Sequence, residues 1–236
     1  MTDTDPRAGS AVEDDATLDD LTHDDLTHED ATPDDARPRG LRHSRGWIFG
    51  TMLFSALCSL TAAWVLSYDA IVLAGNPDAT FGCDISSVLS CSSVGLSWQA
   101  SLFGFPNAFL GMVCEPVVIT IAVASLGGVR FPRWFMFSAQ VVYLFGLAFA
   151  FWLFAQSMWV IGALCPWCLV ITVGTTLVFM TLLHHNILED NLYLPPAAQR
   201  RALTFVRSGA DVFVSAGIVV VIATLIVSKY GAALLA

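Results

Sequence analysis

The chain has 236 residues, of which 56% are hydrophobic and only 13% are charged, and its mean hydropathy is +0.66. This composition excludes an ordinary soluble globular domain and is typical of an integral membrane protein. The net charge of −9 is unevenly distributed, because residues 1–38 hold 13 of the 20 acidic residues and only two arginines; this segment carries −11 and the rest of the chain +2. No nucleic-acid partner is expected.

The N-terminal segment 1–38 is predicted to be a disordered acidic tail. Between Ala16 and Asp35 it repeats four times a pentad of the form Ala/Leu-Thr-x-Asp/Glu-Asp. A segment with little hydrophobicity and one sign of charge buries too little apolar surface to offset the entropy lost on ordering.

Five stretches are apolar over about 20 residues, the length a helix needs to cross a bilayer core of roughly 30 Å. They are Trp47–Tyr68, Phe105–Leu126, Trp134–Gln156, Cys165–Leu183 and Asp211–Tyr230. None alternates polar and apolar residues like a barrel strand, so we predict an all-α integral membrane protein with a four-helix transmembrane bundle and a fifth, C-terminal transmembrane helix. The predicted division is the tail 1–38, a four-helix membrane domain 39–184, a loop 185–209 and the fifth helix 210–236.

The basic residues predict how the chain is oriented in the membrane. One face of the predicted membrane domain collects Arg39, Arg42, Arg45, Arg130, Arg133, Arg200, Arg201 and Arg207, whereas the opposite face offers only Lys229. Because basic residues stay on the cytoplasmic side, the N-terminus, the acidic tail and the loop 185–209 should be cytoplasmic. The C-terminus and the long loop after the first span should then lie outside the plasma membrane of a bacterial cell.

Two of the six cysteines, Cys83 and Cys91, lie in that long loop. Eight residues along a straight helix would separate their Cα atoms by roughly 12 Å, beyond the ~7 Å that a disulfide allows. If they pair, Asp84–Ser90 must fold back as a short turn. From the loop alone, a purely structural disulfide and a disulfide that takes part in thiol exchange are equally well supported.

The start of the fourth span carries Cys165-Pro166-Trp167-Cys168. This spacing at a helix start puts both sulfurs on one face, and a helix N-terminus favours the thiolate. The pattern favours a redox centre over a metal clip, because a zinc site needs about four ligands and His43, His184 and His185 all fall on the opposite, cytoplasmic face. No metal is expected. Cys58 and Cys114 lie within spans and are interpreted as small buried hydrophobes.

The two cysteine motifs together resemble the vitamin K epoxide reductase homologues, in their bacterial quinone-coupled form. Cys83-Asp84 with Ser90-Cys91-Ser92 matches the loop of that family, and Cys165-Pro166-Trp167-Cys168 matches its active-site pair at the fourth helix. Phe103–Gly111 resembles the start of the second helix. The resemblance covers about residues 47–183, and one departure is Thr172, where the vertebrate enzymes carry a tyrosine.

The resemblance implies a membrane thiol oxidase that supports disulfide formation in exported proteins. Cys83 would face a separate extracytoplasmic partner of the DsbA or thioredoxin type, since the chain ends without such a domain. Cys91 would shuttle to Cys165 through a mixed disulfide. Cys168 would then pass electrons to a quinone of the membrane pool, menaquinone or ubiquinone.

Four further residues are assigned around the quinone. By resemblance Asn107 contacts a quinone carbonyl and Ser97 is the loop serine of the family. We expect Ser97 to position the loop and Trp167 to shield the Cys168 sulfur. Glu115 lies within the second span, where a carboxyl is costly and often functional. It is either a relay for the protons that quinone reduction requires or a protonated acid bonded inside the bundle.

Three other functions remain open from the sequence. A DsbB-like oxidase also joins two external cysteine pairs to a quinone, but its Cys-x-x-Cys comes in the first half of the chain. A quinone-epoxide reductase would use the same residues. A non-enzymatic protein that binds or transports a soft metal would be expected to carry further Met or His ligands on the outer face.

Overall fold

The computed structural model describes residues 41–235, with side chains described as far as residue 232. The predicted tail 1–38 lies outside the described residues. Seven α-helices follow one another in the described chain: α1 Arg45–Gly75, α2 Cys91–Gly95, α3 Ala108–Leu126, α4 Arg133–Gln156, α5 Pro166–Leu188, α6 Pro196–Ser208 and α7 Ala210–Leu235. The prediction of an all-α membrane protein is confirmed, because five of these helices, α1, α3, α4, α5 and α7, are long and apolar enough to cross a membrane.

The first helix continues beyond its predicted end at Tyr68 to Gly75, about two further turns. Asp69 interrupts the apolar run in the sequence, but its side chain is only 7% exposed and lies on the inner face of the helix. The apolar pattern therefore ended the predicted span too early, at a charged residue that the fold buries.

The bundle is organised around α1, which packs against α3 on one side and α5 on the other, while α4 packs against α5. Glycines allow the close approaches. A Cβ on Gly111 of α3 would come within 2.8 Å of the Cβ of Ala63, and one on Gly174 of α5 would overlap the side chain of Ser59. Since interiors are close-packed, these positions fix how near the helices lie.

The two ends of the bundle differ. At one end, which we call the arginine end, lie Arg45 and Arg133; at the other, the cysteine end, lie Cys91 and Cys165. The half of the bundle nearer the arginine end is filled by a core of large buried side chains, among them Phe49, Met52, Ile121, Met136 and Val178. Nearer the cysteine end, α3 and α4 stay apart and leave a cavity.

At the arginine end, polar side chains join the 3-10 turn Leu41–His43, which precedes α1, to α5 and α7. The Nδ1 atom of His184 lies 2.6 Å from a carboxylate oxygen of Asp211, and its Nε2 atom lies 3.1 Å from Nδ1 of His43. Segment 185–209, predicted as a loop, contains the short helix α6, which is joined to α5 by a hydrogen bond from the Gln199 side chain to the Ile187 carbonyl. These contacts dock the fifth spanning helix on the four-helix bundle.

Candidate active site

The loop between α1 and α3 folds back on itself around the carboxylate of Asp84. This group accepts hydrogen bonds from the backbone N–H of Phe81 (2.8 Å) and from the hydroxyl of Ser90 (2.9 Å). The backbone N–H and the hydroxyl of Ser92 also donate to it, each at 3.0 Å. Burial alone would raise the pKa of Asp84, but these hydrogen bonds to the charged form outweigh it and lower the pKa below its ordinary value.

The same fold brings Cys83 and Cys91 together. Their Cα atoms are 5.7 Å apart and the two residues form a disulfide. The backbone N–H groups of Ile85 and Ser86 both donate to the carbonyl of Leu89 and so close a tight turn. This turn brings the two cysteines within bonding distance, whereas a straight helix of the same length would keep them too far apart. Cys91 then begins the short helix α2, for which Ser90 is the N-cap.

A pair of backbone hydrogen bonds ties this loop to the segment that precedes α5. The N–H of Leu164 donates to the carbonyl of Val88 (2.7 Å), and the N–H of Ser90 donates to the carbonyl of Leu164 (3.0 Å). Leu89 and Leu164 thus form an isolated parallel bridge. The residue after each paired segment is a cysteine, so the pairing sets Cys91 beside Cys165.

The π turn Ser157–Ile161 that ends α4 leads the chain into this bridge. The N–H of Gly162 donates to the Ser157 carbonyl, and Gly162 itself has φ of 77°, a conformation that side chains disfavour. Two residues later Leu164 pairs with the loop.

The sulfurs of Cys91 and Cys165 are 3.4 Å apart, and both side chains are almost completely buried. Cys165 and Cys168 are free thiols. Cys165 is the N-cap of α5, Pro166 occupies the first turn, and the backbone N–H of Cys168 donates to the Cys165 sulfur at 3.4 Å. This is the arrangement expected of a thiol whose thiolate form is favoured at a helix N-terminus.

The cavity between α3 and α4 lies directly against this pair. It has a volume of about 410 Å³, and its walls include Cys91, Cys165, Cys168, Asn107 and Ser97. A cavity of this size, mostly apolar with a few polar groups, is typical of a binding site for a small organic molecule. Trp167 is not one of the lining residues; it packs against the cysteine cluster instead.

Asn107 and Ser97 shape the cysteine end of the cavity. The Asn107 amide donates to the carbonyl of Gln99 at 2.6 Å, while its carbonyl oxygen is buried without a hydrogen-bond partner among the described residues. The Ser97 hydroxyl donates to the carbonyl of Val94 at 2.6 Å, which anchors the short 3-10 helix Trp98–Ser101 to α2. Asn107 therefore has an unused acceptor, whereas the hydroxyl proton of Ser97 is used within the loop.

Deeper in the same cavity, the hydroxyl of Tyr143 donates to a carboxylate oxygen of Glu115 at 3.1 Å. Both side chains are buried, and both line the cavity together with Thr172. Glu115 on α3 and Tyr143 on α4 are thus joined across the gap that separates these helices.

Three residues of this site were not singled out in the sequence. Tyr143 and Gln99 carry no motif, and their position follows only from the packing of α4 and the loop. Asp69 lies near the end of the first apolar stretch, where an acidic residue also marks an ordinary span boundary; its oxygen and the sulfurs of Cys83 and Cys91 all lie within 4.8 Å of one another.

The remaining two cysteines, Cys58 and Cys114, lie on α1 and α3. Cys58 and Cys114 are both half-buried free thiols, and Cys114 lines the cavity. In the described part of the chain, the potential metal-ligating side chains that lie close together are those of Asp69, Cys83 and Cys91. The sulfurs of that group are joined as a disulfide and therefore are not thiolate ligands.

The comparisons with known proteins agree with the resemblance. No curated protein matches the chain significantly. The family model described as the vitamin K epoxide reductase family matches residues 51–183, which include both cysteine pairs, the cavity and most of the four-helix bundle. The chain belongs to the vitamin K epoxide reductase family and is a membrane oxidoreductase of that quinone-linked family.

Proposed function

We propose that the protein is a thiol:quinone oxidoreductase that reoxidises a separate thioredoxin-like partner outside the cytoplasmic membrane and so supports disulfide formation in exported proteins. The observation that carries the proposal is the 3.4 Å separation of the Cys91 and Cys165 sulfurs beside an apolar cavity. A disulfide and a dithiol in contact, next to a site for a lipid-soluble molecule, form a complete path for two electrons.

The first step is at the loop. A thiolate of the reduced partner attacks the Cys83 sulfur, and Cys91 leaves as a thiolate. Cys83 is the more accessible of the two, at 9% exposure against 3% for Cys91. A second thiol of the partner then attacks the partner's own sulfur in this mixed disulfide. This step releases the oxidised partner and leaves Cys83 as a thiolate.

The second step transfers the electrons to α5. The Cys91 thiolate attacks Cys165 of a Cys165–Cys168 disulfide, forming the Cys91–Cys165 bond and releasing Cys168 as a thiolate. Cys83 then attacks Cys91, which restores the loop disulfide and releases Cys165. The structure has the loop pair joined and Cys165 and Cys168 free, the redox state that follows this step.

The cavity is large enough for a quinone ring, and one polar atom of its walls, the Asn107 oxygen, has no hydrogen-bond partner among the described residues. A quinone supplies a two-electron, two-proton acceptor for the Cys165–Cys168 dithiol. The unpartnered oxygen of Asn107 can accept a hydrogen bond from a hydroxyl of the reduced ring, and its amide retains one N–H for a carbonyl of the oxidised ring. The cavity walls reach Val142 and Phe145, which are exposed on the outer face of α4, so a molecule dissolved in lipid can enter between α3 and α4.

Glu115 supplies protons or holds the cavity wall. As a relay, it would pass a proton toward the ring and regain one through Tyr143. As a structural acid, it would only link α3 to α4. The contact with Tyr143 suits both roles, and activity separates them: Glu115→Gln retains a hydrogen-bond acceptor for Tyr143 but cannot carry a proton.

The orientation belongs to the same proposal. The arginine end would face the cytoplasm, with segment 185–209 and the tail 1–38, and the cysteine end would face outward. The asymmetry of basic residues supports it. The membrane domain 39–184 would form the catalytic unit, and residues 210–236 an additional spanning helix.

The test is purification in detergent, followed by extraction and mass spectrometry of bound quinone and by an assay of quinone reduction with dithiothreitol as the electron donor. We expect Cys165→Ala and Cys168→Ala each to abolish turnover. Cys58→Ala, a half-buried cysteine outside the site, is the matched control and should retain it. Turnover by Cys168→Ala at the unmodified rate would contradict the proposal.

A further inference from the structure

Asp69 is a buried carboxyl that no motif explains. It lies near the cysteine end of α1, its side chain is 7% exposed, and its Oδ2 atom is buried with no hydrogen-bond partner among the described residues. Burying an ionisable group without a partner opposes folding. The loop, by contrast, is held by Asp84, which accepts several hydrogen bonds.

The position of Asp69 is the second observation. One of its carboxylate oxygens and the sulfurs of Cys83 and Cys91 all lie within 4.8 Å of one another. Asp69 also lines the cavity that Cys165 and Cys168 share. The other titratable groups that interact with it electrostatically are Asp84 in the loop and Cys165 on α5.

A base is needed at this point of the exchange. Only a thiolate attacks a disulfide, and an ordinary cysteine is mostly protonated at neutral pH because its pKa is about 8.5. Cys165 has the N-terminus of α5 to favour its thiolate. Cys83 precedes the turn of the loop and has no helix N-terminus of its own.

We propose that Asp69 is the proton acceptor for the thiol–disulfide exchange at the loop, an inference that rests on the proposed electron relay. The Asp69 carboxylate removes the proton from the Cys83 thiol, and the Cys83 thiolate attacks the Cys91 sulfur of the Cys91–Cys165 bond. The Cys83–Cys91 bond forms, the Cys91–Cys165 bond breaks, and the electron pair leaves on the Cys165 sulfur. The proton is held on the Asp69 carboxyl.

The reverse reaction uses the same residue as an acid. When Cys165 attacks Cys91, protonated Asp69 donates its proton to the departing Cys83 sulfur. A single carboxyl beside both loop sulfurs therefore serves the exchange in both directions, which is what microscopic reversibility requires of a general acid–base.

The experiment follows oxidation of the fully reduced protein, which consumes two quinones, one for each cysteine pair. All four site thiols are reduced, the reductant is removed under anaerobic conditions, and an excess of a short-chain quinone is added. Samples are quenched with acid, alkylated and mapped by mass spectrometry, so that oxidation of the Cys165/Cys168 peptide and of the Cys83/Cys91 peptide is timed separately. In the unmodified protein we expect the α5 pair to be oxidised first and the loop pair afterwards.

Asp69→Asn should leave oxidation of the α5 pair by quinone unchanged and slow oxidation of the loop pair at least 10-fold at pH 6.5. The deficit should shrink as the pH rises above about 8.5, because the Cys83 thiol then ionises without a base. Asp69→Glu, which keeps a carboxyl, should recover part of the rate. Asp78→Asn, which removes an exposed carboxyl from the same loop, should match the unmodified protein.

Three outcomes would overturn the assignment: loop oxidation in Asp69→Asn at the unmodified rate, slowing by the same factor at every pH, or no recovery with Asp69→Glu. A constant factor would mean that Asp69 only supports the structure. Failure of quinone to oxidise the α5 pair of the unmodified protein would instead contradict the proposed function, and so the two failures are distinguishable.

Discussion

The sulfurs of Cys91 and Cys165 lie 3.4 Å apart, although 74 residues separate them in the chain. Backbone pairing determines this contact, because Leu89 and Leu164 form a parallel bridge just ahead of the two cysteines in the chain. Both cysteines are held at the starts of helices, and their sulfurs need to approach by only about 1.4 Å to reach the ~2.05 Å length of a disulfide bond. Exchange between the two pairs therefore needs no large movement of the loop.

The orientation can be tested with single reporter cysteines in a variant that lacks the six native ones. Asp78→Cys in the loop and Ala197→Cys on α6 are both at exposed positions on opposite ends of the bundle. A membrane-impermeant maleimide added to intact cells should label Asp78→Cys and spare Ala197→Cys. The converse labelling would reverse the orientation and exclude an extracytoplasmic partner.

Replacement of Asn107 by alanine should impair quinone reduction specifically. Losing one donor aimed at a developing oxyanion costs about 2.7–4 kcal/mol, which is roughly 100-fold or more in rate at ~1.4 kcal/mol per tenfold change. Asn107→Asp should be at least as impaired, because an ionised carboxylate repels the charge that develops on the ring. Stopped-flow absorbance of the quinone measures this half-reaction.

The other half-reaction is the control for Asn107. Exchange of the Cys83–Cys91 disulfide with a reduced thioredoxin-like protein should proceed at the unmodified rate in a single turnover. Equal loss of both half-reactions would mean that Asn107 acts through its hydrogen bond to Gln99 and only holds the loop to α3.

Asp84→Ala should loosen the cysteine loop. The variant loses an anionic acceptor for the groups of Phe81, Ser90 and Ser92, and hydrogen bonds to charged groups contribute about 1.5–3 kcal/mol each. Reduction of the Cys83–Cys91 disulfide by a phosphine at pH 7 should be about 10-fold faster or more. Asp78→Ala, an exposed carboxyl of the same loop, should have no effect.

The effect of Asp84 should depend on pH in one direction. The pKa of Asp84 is lower in the folded loop than its ordinary value of about 4. Its stabilisation is therefore complete above pH 4 and is lost as the pH falls through the lower, folded value. The difference between Asp84→Ala and the unmodified protein should vanish in that acidic range, and a difference that persists there would contradict the role of the charge.

Gly174→Leu should destabilise the bundle, because a side chain at this position overlaps Ser59 and comes within 3.3 Å of the Ser55 carbonyl. Overpacking of this kind typically costs about 1–3 kcal/mol. The midpoint of thermal unfolding in detergent should fall. Gly217→Leu on α7, where a Cβ meets nothing within 4 Å, should leave the midpoint nearly unchanged, and an equal fall in both variants would contradict the close packing of α1 and α5.

Hydropathy was sufficient to predict the five spanning helices, because each must satisfy its backbone hydrogen bonds within about 20 apolar residues. The ends were less predictable. Asp69 looked like a boundary in the sequence, yet α1 continues to Gly75 because that side chain is buried by the loop. Helix α6 lies in a polar segment whose order depends on contacts such as Gln199 with α5.

The cysteines of the candidate site could be found from the sequence because their spacing is a local signal. The Glu115–Tyr143 contact could not be, since it depends on how α4 faces α3 across the cavity. Asp69 was missed for a similar reason: its proximity to Cys83 and Cys91 exists only once the loop has folded back over the end of α1.

The central claim is that electrons pass from the loop to α5 through a Cys91–Cys165 bond, and disulfide mapping of Cys168→Ala tests it most directly. In Cys168→Ala, the Cys165 thiolate can still attack Cys91 of the loop disulfide and release Cys83, and only Cys83 can reverse this step. Mass spectrometry of the unreduced, rapidly alkylated variant should therefore find part of the protein with Cys91 linked to Cys165 and Cys83 alkylated. Cys165→Ala should retain only the Cys83–Cys91 disulfide. A Cys168→Ala protein in which Cys83 and Cys91 stay joined in every molecule and no Cys91–Cys165 bond is found, under conditions where the unmodified protein reduces quinone, would contradict the relay.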